Sequence, residues 1–593
     1  MQHTSLHSFH IPVLGLSFSI DTPLKVARFG ISSVVSIVDD ELVEDMRRHH
    51  CTQNQMPYTP ISGQSTDYRA ERITAYLNMM QDLLTTQMAT LQSTPITEGS
   101  ESYQYFEMLP PQHALAAQFN EYLAEESPQA KQALQQQLLQ SIEPGRIDVN
   151  IMAKVDNTGY NKDGEKLPDE YSDALSALRG FAKSKLQSSI VFSAGYNPRL
   201  YSYAETFDCF YPQKNNEPLK KIILKVSDYR SALVQGKILA KKGLWISEFR
   251  IESGLNCGGH AFATEGLLLG PILEEFKQNR PQMHAELLAL CNDALMAKGK
   301  ERYIDAPTQK ITVQGGIGTA AEQQFLLSYY QLDGTGWGSP FLLVPEATNV
   351  EAPTLQLMAQ AKKEDYYLSH ASPLGVPINN IKNSSSQAQL QQRIQKGRPG
   401  SPCYKKYLAS NTEFTDKPIC TASRQYQNLK IKQLQQQQLP PAELQQQISK
   451  VLEKDCLCEG LTASVKLKNN MPLQHKLSAV AICPGPNLAY FSGTFSLKEM
   501  VSHIYGRINL NNALERPHVF INELQLYVDY FKNQLKESSS LVNEKQKKYF
   551  DRFKNNLQCG IEYYKTLLPS FANLNLNTLQ LKKLELQLAT LAC

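Results

Sequence analysis

Several things are scarce in this chain. No uninterrupted apolar run reaches the roughly 20 residues that cross a bilayer, so no membrane partner is expected. The formal net charge is only +3 over 593 residues. That near balance removes the electrostatic case for nucleic acid or an anionic lipid surface as a partner. Met1 to His10 holds three histidines but no Lys or Arg, so it does not read as a secretory leader. No pair of cysteines has the CxxC spacing of a standard zinc or ferredoxin motif. Eleven cysteines without a leader fit a reducing cytoplasm better than a disulfide framework, and a cytoplasmic location is the expectation.

Short Val- and Ile-rich runs alternate with helical stretches through the first 350 or so residues. The runs are Val13–Phe18, Ser33–Val38, Ile147–Met152, Ile190–Ala194, Lys221–Ser227, Leu244–Glu252, Lys310–Gln314 and Gly336–Val344. They show little polar alternation, as strands buried on both faces of a parallel sheet do. Eight such runs with helices between them predict an α/β fold, a (β/α)8 TIM barrel. An open doubly wound sheet is the rival, but no dinucleotide-type glycine turn follows the first run. A helical insertion is expected over about 68–141, as a lid or an oligomer contact, with helices over Arg72–Ser93 and His113–Leu139.

The chain divides on this reading into a barrel over 1–380, a cysteine-containing extension over 381–510 and a helical region over 511–593, the extension being mainly α. The glutamine-rich stretch Gln435–Gln447 around Pro440-Pro441 reads as solvated helices with a proline break. Leu524, Tyr527, Phe531 and Leu535 share one helix face, as do Tyr549, Phe553 and Leu557, and both stripes read as core.

Two glycine-rich segments carry the chemical signal: Gly254-Leu255-Asn256-Cys257-Gly258-Gly259-His260, and Gln314-Gly315-Gly316-Ile317-Gly318-Thr319-Ala320 followed by Asp333 to Phe341. Each follows a β-branched run and precedes a helix-like stretch. Glycine there lets backbone N–H groups approach a phosphate, and a helix N-terminus adds favourable partial charge. In TIM barrels phosphate commonly sits at the loops after strands seven and eight. Gly315, Gly316, Gly318, Gly338 and Ser339 are therefore the phosphate candidates, against tight strand-to-helix packing with no ligand. Asn150 and Lys225 lie near strand ends. Lys225 either meets a bound cofactor or pairs with a barrel carboxylate. Glu248, Arg250 and Glu252 alternate on one side of the sixth run and could supply that partner.

In order along the chain, these segments resemble the nitronate monooxygenase (2-nitropropane dioxygenase-like) flavoproteins, which are FMN-binding TIM barrels. Gly15 to Ile37 is similar to that family's opening strand, helix and second strand. Gly258-Gly259-His260 sits where the family has Glu-Ala-Gly-Gly-His. Gly315-Gly316-Ile317 matches its phosphate loop, and Asp333 to Ala347 its following strand and turn. Asp365 to Ser369 and Gly375-Val376-Pro377 continue the likeness.

The resemblance implies FMN held by Gly258, Gly259, Gly315, Gly316, Gly318, Gly338, Ser339, Asn150 and Lys225, with His260 as the base that takes a substrate proton. It implies oxidation of a carbanion-forming small substrate, with O2 or NAD(P)H as redox partner. An enoyl-reductase-like FMN enzyme of fatty-acid or polyketide synthesis is the alternative, and a barrel that has lost turnover is a third reading. A homo-oligomer is a further candidate. The chain departs from the family at Asn256-Cys257, and Cys257 reads as a small apolar residue or a redox thiol. Cys403, Cys420, Cys456, Cys458 and Cys483 are candidate ligands of an iron–sulfur cluster or zinc, the alternative being reduced structural thiols.

Overall fold

A computed structural model describes residues 6–591 except 162, 194, 214–215, 260–264, 474, 476, 539–542 and 568–577. Eight parallel strands close on themselves in chain order. They are β1 (Phe9–Ile11), β2 (Ser32–Ser36), β3 (Ile147–Met152), β4 (Ser189–Ser193), β5 (Lys221–Val226), β6 (Ile246–Glu252), β7 (Lys310–Gln314) and β8 (Gly334–Gly336). β1 pairs with both β2 and β8, which completes the ring. The (β/α)8 reading holds, and helices follow the strands around the outside. No helix among the described residues is long and apolar enough to cross a membrane.

Six strands fall where the apolar runs predict them, and two are displaced. β1 lies before the run Val13–Phe18, which forms turns instead. Gly15 takes φ 111°, a left-handed region that breaks extended backbone. β8 lies before most of Gly336–Val344. Pro340 lacks an N–H for the ladder, and Ser339–Leu343 winds into a 3-10 turn.

The insertion supplies helices Tyr68–Ser93, Glu101–Glu107, Ala114–Ala124 and Pro128–Gln140. The first packs against helices Asp40–Gln53 and Asp173–Lys183. Tyr76 is fully buried and donates to Ile20 O at 2.9 Å. Arg69 bridges Asp40 (3.1 Å) and Asp173 (2.9 Å).

The C-terminal chain returns over the barrel. One continuous apolar cluster joins the barrel layers to helices Val519–Glu537, Glu544–Leu567 and Thr578–Thr590. The stripes Leu524, Tyr527, Phe531 and Phe553, Leu557 are buried within it. Ile378, Tyr407, Leu408, Leu457, Cys458, Leu461 and Cys483 roof the mouth at the C-terminal ends of the strands. Ser17 N donates to Leu461 O (3.1 Å). Lys466 pairs with Asp45 (2.7 Å). Lys405 pairs with Asp39 at 2.5 Å, their side chains only 2% and 1% exposed. Asp39 also caps helix Asp40–Gln53 through Leu42 N at 2.9 Å. The Lys405 ammonium holds the Asp39 carboxyl below its ordinary range despite burial.

A buried ion pair is costly to break because the remaining charge stays unpaired. Lys405→Ala should therefore destabilise the protein by about 3 kcal/mol in urea unfolding. Adding Asp39→Asn should restore part of that loss. A Lys405→Ala protein as stable as wild type would show that the pair does not seat the roof.

Candidate active site at the barrel mouth

The interior of the barrel is graded from charged to apolar to polar. Deepest lie Asp148, Glu248 and Arg250, each no more than 2% exposed. Arg250 donates to Glu248 Oε1 (2.8 Å) and to Asp148 Oδ2 (3.2 Å). Thr312 donates to the same Glu248 oxygen at 2.7 Å. Arg250 holds the Glu248 carboxyl well below the usual carboxylate range, so both groups are charged. Val34, Val191 and Ile223 form an apolar plug beside this layer, with Val13 packed on it.

Toward the mouth the inward positions become polar. Ser36, Asn150, Ser193, Lys225, Glu252 and Gln314 come from β2 to β7 in turn. They line a cavity of about 1140 Å³, counted out to its solvent opening. Lys225 Nζ lies 2.6 Å from Glu252 Oε2. Gln314 Nε2 donates to Glu252 Oε1 (2.9 Å). His10 Nε2 lies 3.4 Å from Gln314 Oε1. Burial, then the neighbouring Arg250 charge, pushes His10 down to about 3, so the ring is neutral. Because Gln314 Oε1 can only accept, the ring proton sits on Nε2. Gly336 makes room for this chain of contacts: a Cβ there would stand 2.6 Å from Gln314 Cβ and 3.0 Å from His10 Nε2.

The roof supplies the apolar ceiling through Ile378, Leu408, Leu457, Cys458, Leu461 and Cys483. At the wall, Gly258 and Gly259 have φ 131° and 91°, and nothing lies within 4 Å of a Cβ built on Gly259. Gly259 N donates to Cys483 O (3.1 Å), and Asn379 N to Gly259 O (3.3 Å). The loop after β6 is thus stitched to the roof just before His260, which lies outside the described residues.

Asn150, Lys225, Gly258 and Gly259 therefore share one cavity. The other glycine positions pack against the chain itself. A Cβ on Gly315 would meet Ser253 Oγ at 2.6 Å, and one on Gly316 would meet Leu255 at 2.3 Å. A Cβ on Gly318 would meet Arg516 Nε at 2.5 Å, and one on Gly338 would meet Cys257 Cβ at 2.6 Å. Ser339 Oγ donates to Cys257 O (3.0 Å) and accepts from Gly485 N (2.8 Å). The N-terminus of helix Ala320–Tyr329 is capped from within, since Gly318 N donates to Glu322 Oε2 (2.9 Å) and Arg516 Nη1 to Glu322 Oε1 (2.6 Å). Burial pushes the Cys257 thiol well up, so it stays protonated and packs as a small residue.

The five cysteines expected to hold a metal do not form a metal-holding group. Among the described residues, no three His, Cys, Asp or Glu side chains converge in that way. Cys483 faces the cavity ceiling. The Cys456 thiol bonds Ser401 and the Cys458 thiol accepts from Leu408 N–H.

Sequence reasoning passed over His10 and Gln314. The four-residue displacement of β1 hid His10. Gln314 stood in the motif but read only as the residue before the glycines. It also passed over Glu523, in helix Val519–Glu537. This carboxylate accepts from Gly254 N (2.7 Å) and Leu269 N (2.6 Å), and so holds both ends of the loop that carries Gly258-Gly259. Burial outweighs those two bonds and raises the carboxyl to about 7.

In the unfolded chain Glu523 titrates near the ordinary glutamate value, so between about pH 4.5 and 7 the folded state binds the extra proton. Stability should then fall as pH rises across that window, by an amount of the order of 3 kcal/mol. Urea unfolding across this range checks it. Glu523→Ala should remove the slope, and a variant with the wild-type slope would place the titration elsewhere.

No protein-family model matches the sequence, and no curated protein matches it. Among solved structures the chain is similar to FabK from Thermotoga maritima, at 11% identity and TM-score 0.31 over 71% of this chain and 91% of that one. It is similar to the enoyl reductase domain of MlnA from the macrolactin biosynthesis cluster of Bacillus amyloliquefaciens, at 14% identity and TM-score 0.33 over 74% and 90%. It is also similar to nitroalkane oxidase from Streptomyces ansochromogenes, at 10% identity and TM-score 0.33 over 84% and 94%. At such identities and TM-scores these likenesses assign the chain neither activity nor cofactor.

Proposed function

We propose that the protein is an FMN-dependent oxidoreductase acting on a small, apolar, carbanion-forming substrate at the barrel mouth. The observation that carries this reading is the cavity walled by Asn150, Lys225, Glu252, Gln314, Gly258 and Gly259 beneath an apolar roof. Its polar groups suit the edge of a heteroaromatic ring. Asn150 and Lys225 supply N–H groups at the floor, Glu252 supplies an acceptor, and aliphatic side chains cover the faces. The phosphate end fits less well. The Gly315–Gly318 and Gly338–Ser339 loops are filled by Ser253, Leu255, Cys257 and Arg516, so a phosphate there requires the loop after β6 and the Arg516 side chain to shift.

When bound, FMN accepts two electrons from the substrate. The chain's part is electrostatic and protonic. The Lys225 ammonium faces the cavity, where it can offset negative charge developing on a substrate carbon or oxygen. Gln314 and, behind it, His10 fix the Glu252 carboxylate so that Lys225 is held in one place. The roof excludes bulk water, which strengthens these interactions. His260 remains the proposed base on the strength of the resemblance.

A second reading is a barrel that keeps the fold without turnover, and the filled glycine loops favour it. An anaerobic absorption spectrum with FMN titration separates the two. Bound flavin that is reduced by a nitronate, or that is reduced by NAD(P)H and reoxidised by an enoyl thioester, supports the enzyme. Wild-type protein that takes up no FMN overturns that reading and leaves the barrel without turnover. In the enzyme, Lys225→Met should cut turnover about 100-fold at saturating FMN. Unchanged turnover would remove Lys225 from the reaction.

A further inference from the structure

The roof contains a paired set of thiols that the proposed reaction does not use. Cys403 and Cys420 come together because their segments are tied side by side. Ser401 and Ser423 form a parallel bridge, and Asn411 and Ile419 an antiparallel one. Ser401 N donates to Ala422 O (2.9 Å), and Arg424 N to Ser401 O (2.8 Å). Cys403 and Lys406 adopt left-handed backbone, φ 55° and 59°, which folds the segment back on itself. The two thiols are hydrogen-bonded to each other.

Their surroundings are unequal in the way a redox pair needs. Cys403 is partly exposed, whereas Cys420 is buried, at 5%. The Cys420 thiol and the Lys406 N–H both bond the Cys403 sulfur and hold it below the ordinary thiol value. Cys420 is pushed the other way, first by that bond and then by burial. Cys403 is thus the accessible sulfur, and Cys420 waits beside it as resolving thiol. Cys456 and Cys458 lie nearby, and their thiols bond Ser401 and the Leu408 N–H.

We propose that Cys403 and Cys420 are a reversible redox site that closes to a disulfide under hydroperoxide and locks the roof over the cavity. The Cys403 thiolate attacks a peroxide oxygen, the O–O bond breaks, and the alcohol or water leaves with a proton. This gives a sulfenic acid at Cys403. The Cys420 sulfur then attacks the Cys403 sulfur, the S–O bond breaks, and water departs with the Cys420 proton. Two thiols lose two electrons in all, and one hydroperoxide gains them. The resulting cross-link closes the segment that carries Lys405, Tyr407 and Leu408. Lys405 pairs with Asp39, Tyr407 donates to Asp39 Oδ1 (3.3 Å), and Leu408 lines the ceiling. The bond would therefore restrain the part of the roof that rests on the mouth. This inference stands whether or not the barrel binds FMN.

The test uses the full-length wild-type protein, hydrogen peroxide and differential alkylation with peptide mass mapping, with iron and zinc assayed on the same sample. The expected result is loss of two alkylatable thiols, a linked 403–420 peptide pair restored by dithiothreitol, and slower amide exchange across residues 404–419 in the oxidised form. Cys420→Ser should leave Cys403 open to irreversible over-oxidation at the same peroxide dose. Cys403 and Cys420 remaining separately alkylatable would overturn the proposal. So would linkage of either to Cys456 or Cys458, or bound iron or zinc that protects the thiols. Because the wild-type mapping decides the matter alone, a variant that fails to fold does not rescue it.

Discussion

Lys405 and Asp39 put a full positive and a full negative charge where almost no water reaches. Neither could be there alone, because an unpaired buried charge costs several kcal/mol even after relaxation. The two residues lie 366 positions apart in the chain, in the roof and in the turn after β2, so the pair forms only when the roof has come down in one register. Much else follows from that placement. Asp39 caps its helix, Tyr407 donates to Asp39 and Asp40, and Leu408 takes its place in the ceiling. Without the roof the polar floor of the barrel would be an open, wet funnel.

Inside the barrel the same rule of compensation operates in depth. Arg250, Glu248 and Asp148 are buried as a charged layer because each satisfies another. Aliphatic side chains from β2, β4 and β5 fill the space beside them. The polar groups nearer the mouth are ordered by a chain of contacts from His10 through Gln314 and Glu252 to Lys225. That order leaves the Lys225 ammonium facing the cavity, held by Glu252. The glycines after β7 and β8 serve packing in this arrangement. They let the loop after β6, the Arg516 side chain and the 483–487 segment close against the strand ends.

Much of this was legible in the amino-acid order. The six inner runs of Val and Ile coincide with strands because burial on both faces demands continuous apolar sequence. β1 and β8 were misplaced because each is three residues long and is held by neighbours on both sides. Strands that short carry little pattern of their own. Asn150, Lys225 and Gly258-Gly259 could be singled out because polar or bare residues at strand ends stand out. His10, Gln314 and Glu523 could not, since their importance lies in what they touch across hundreds of residues.

The local pattern of the chain alone determined the repeating strand and helix units, and through them the barrel, because hydrophobic periodicity and glycine and proline placement act over a few residues. Only the tertiary structure decided that the cysteine-bearing extension is the roof of the cavity and that Glu523 holds the loop after β6. It also decided that the glycine loops are filled by the chain and that Cys403 meets Cys420. Those outcomes depend on pairings between segments far apart in sequence, where charge burial and close packing select one arrangement and no local signal announces it.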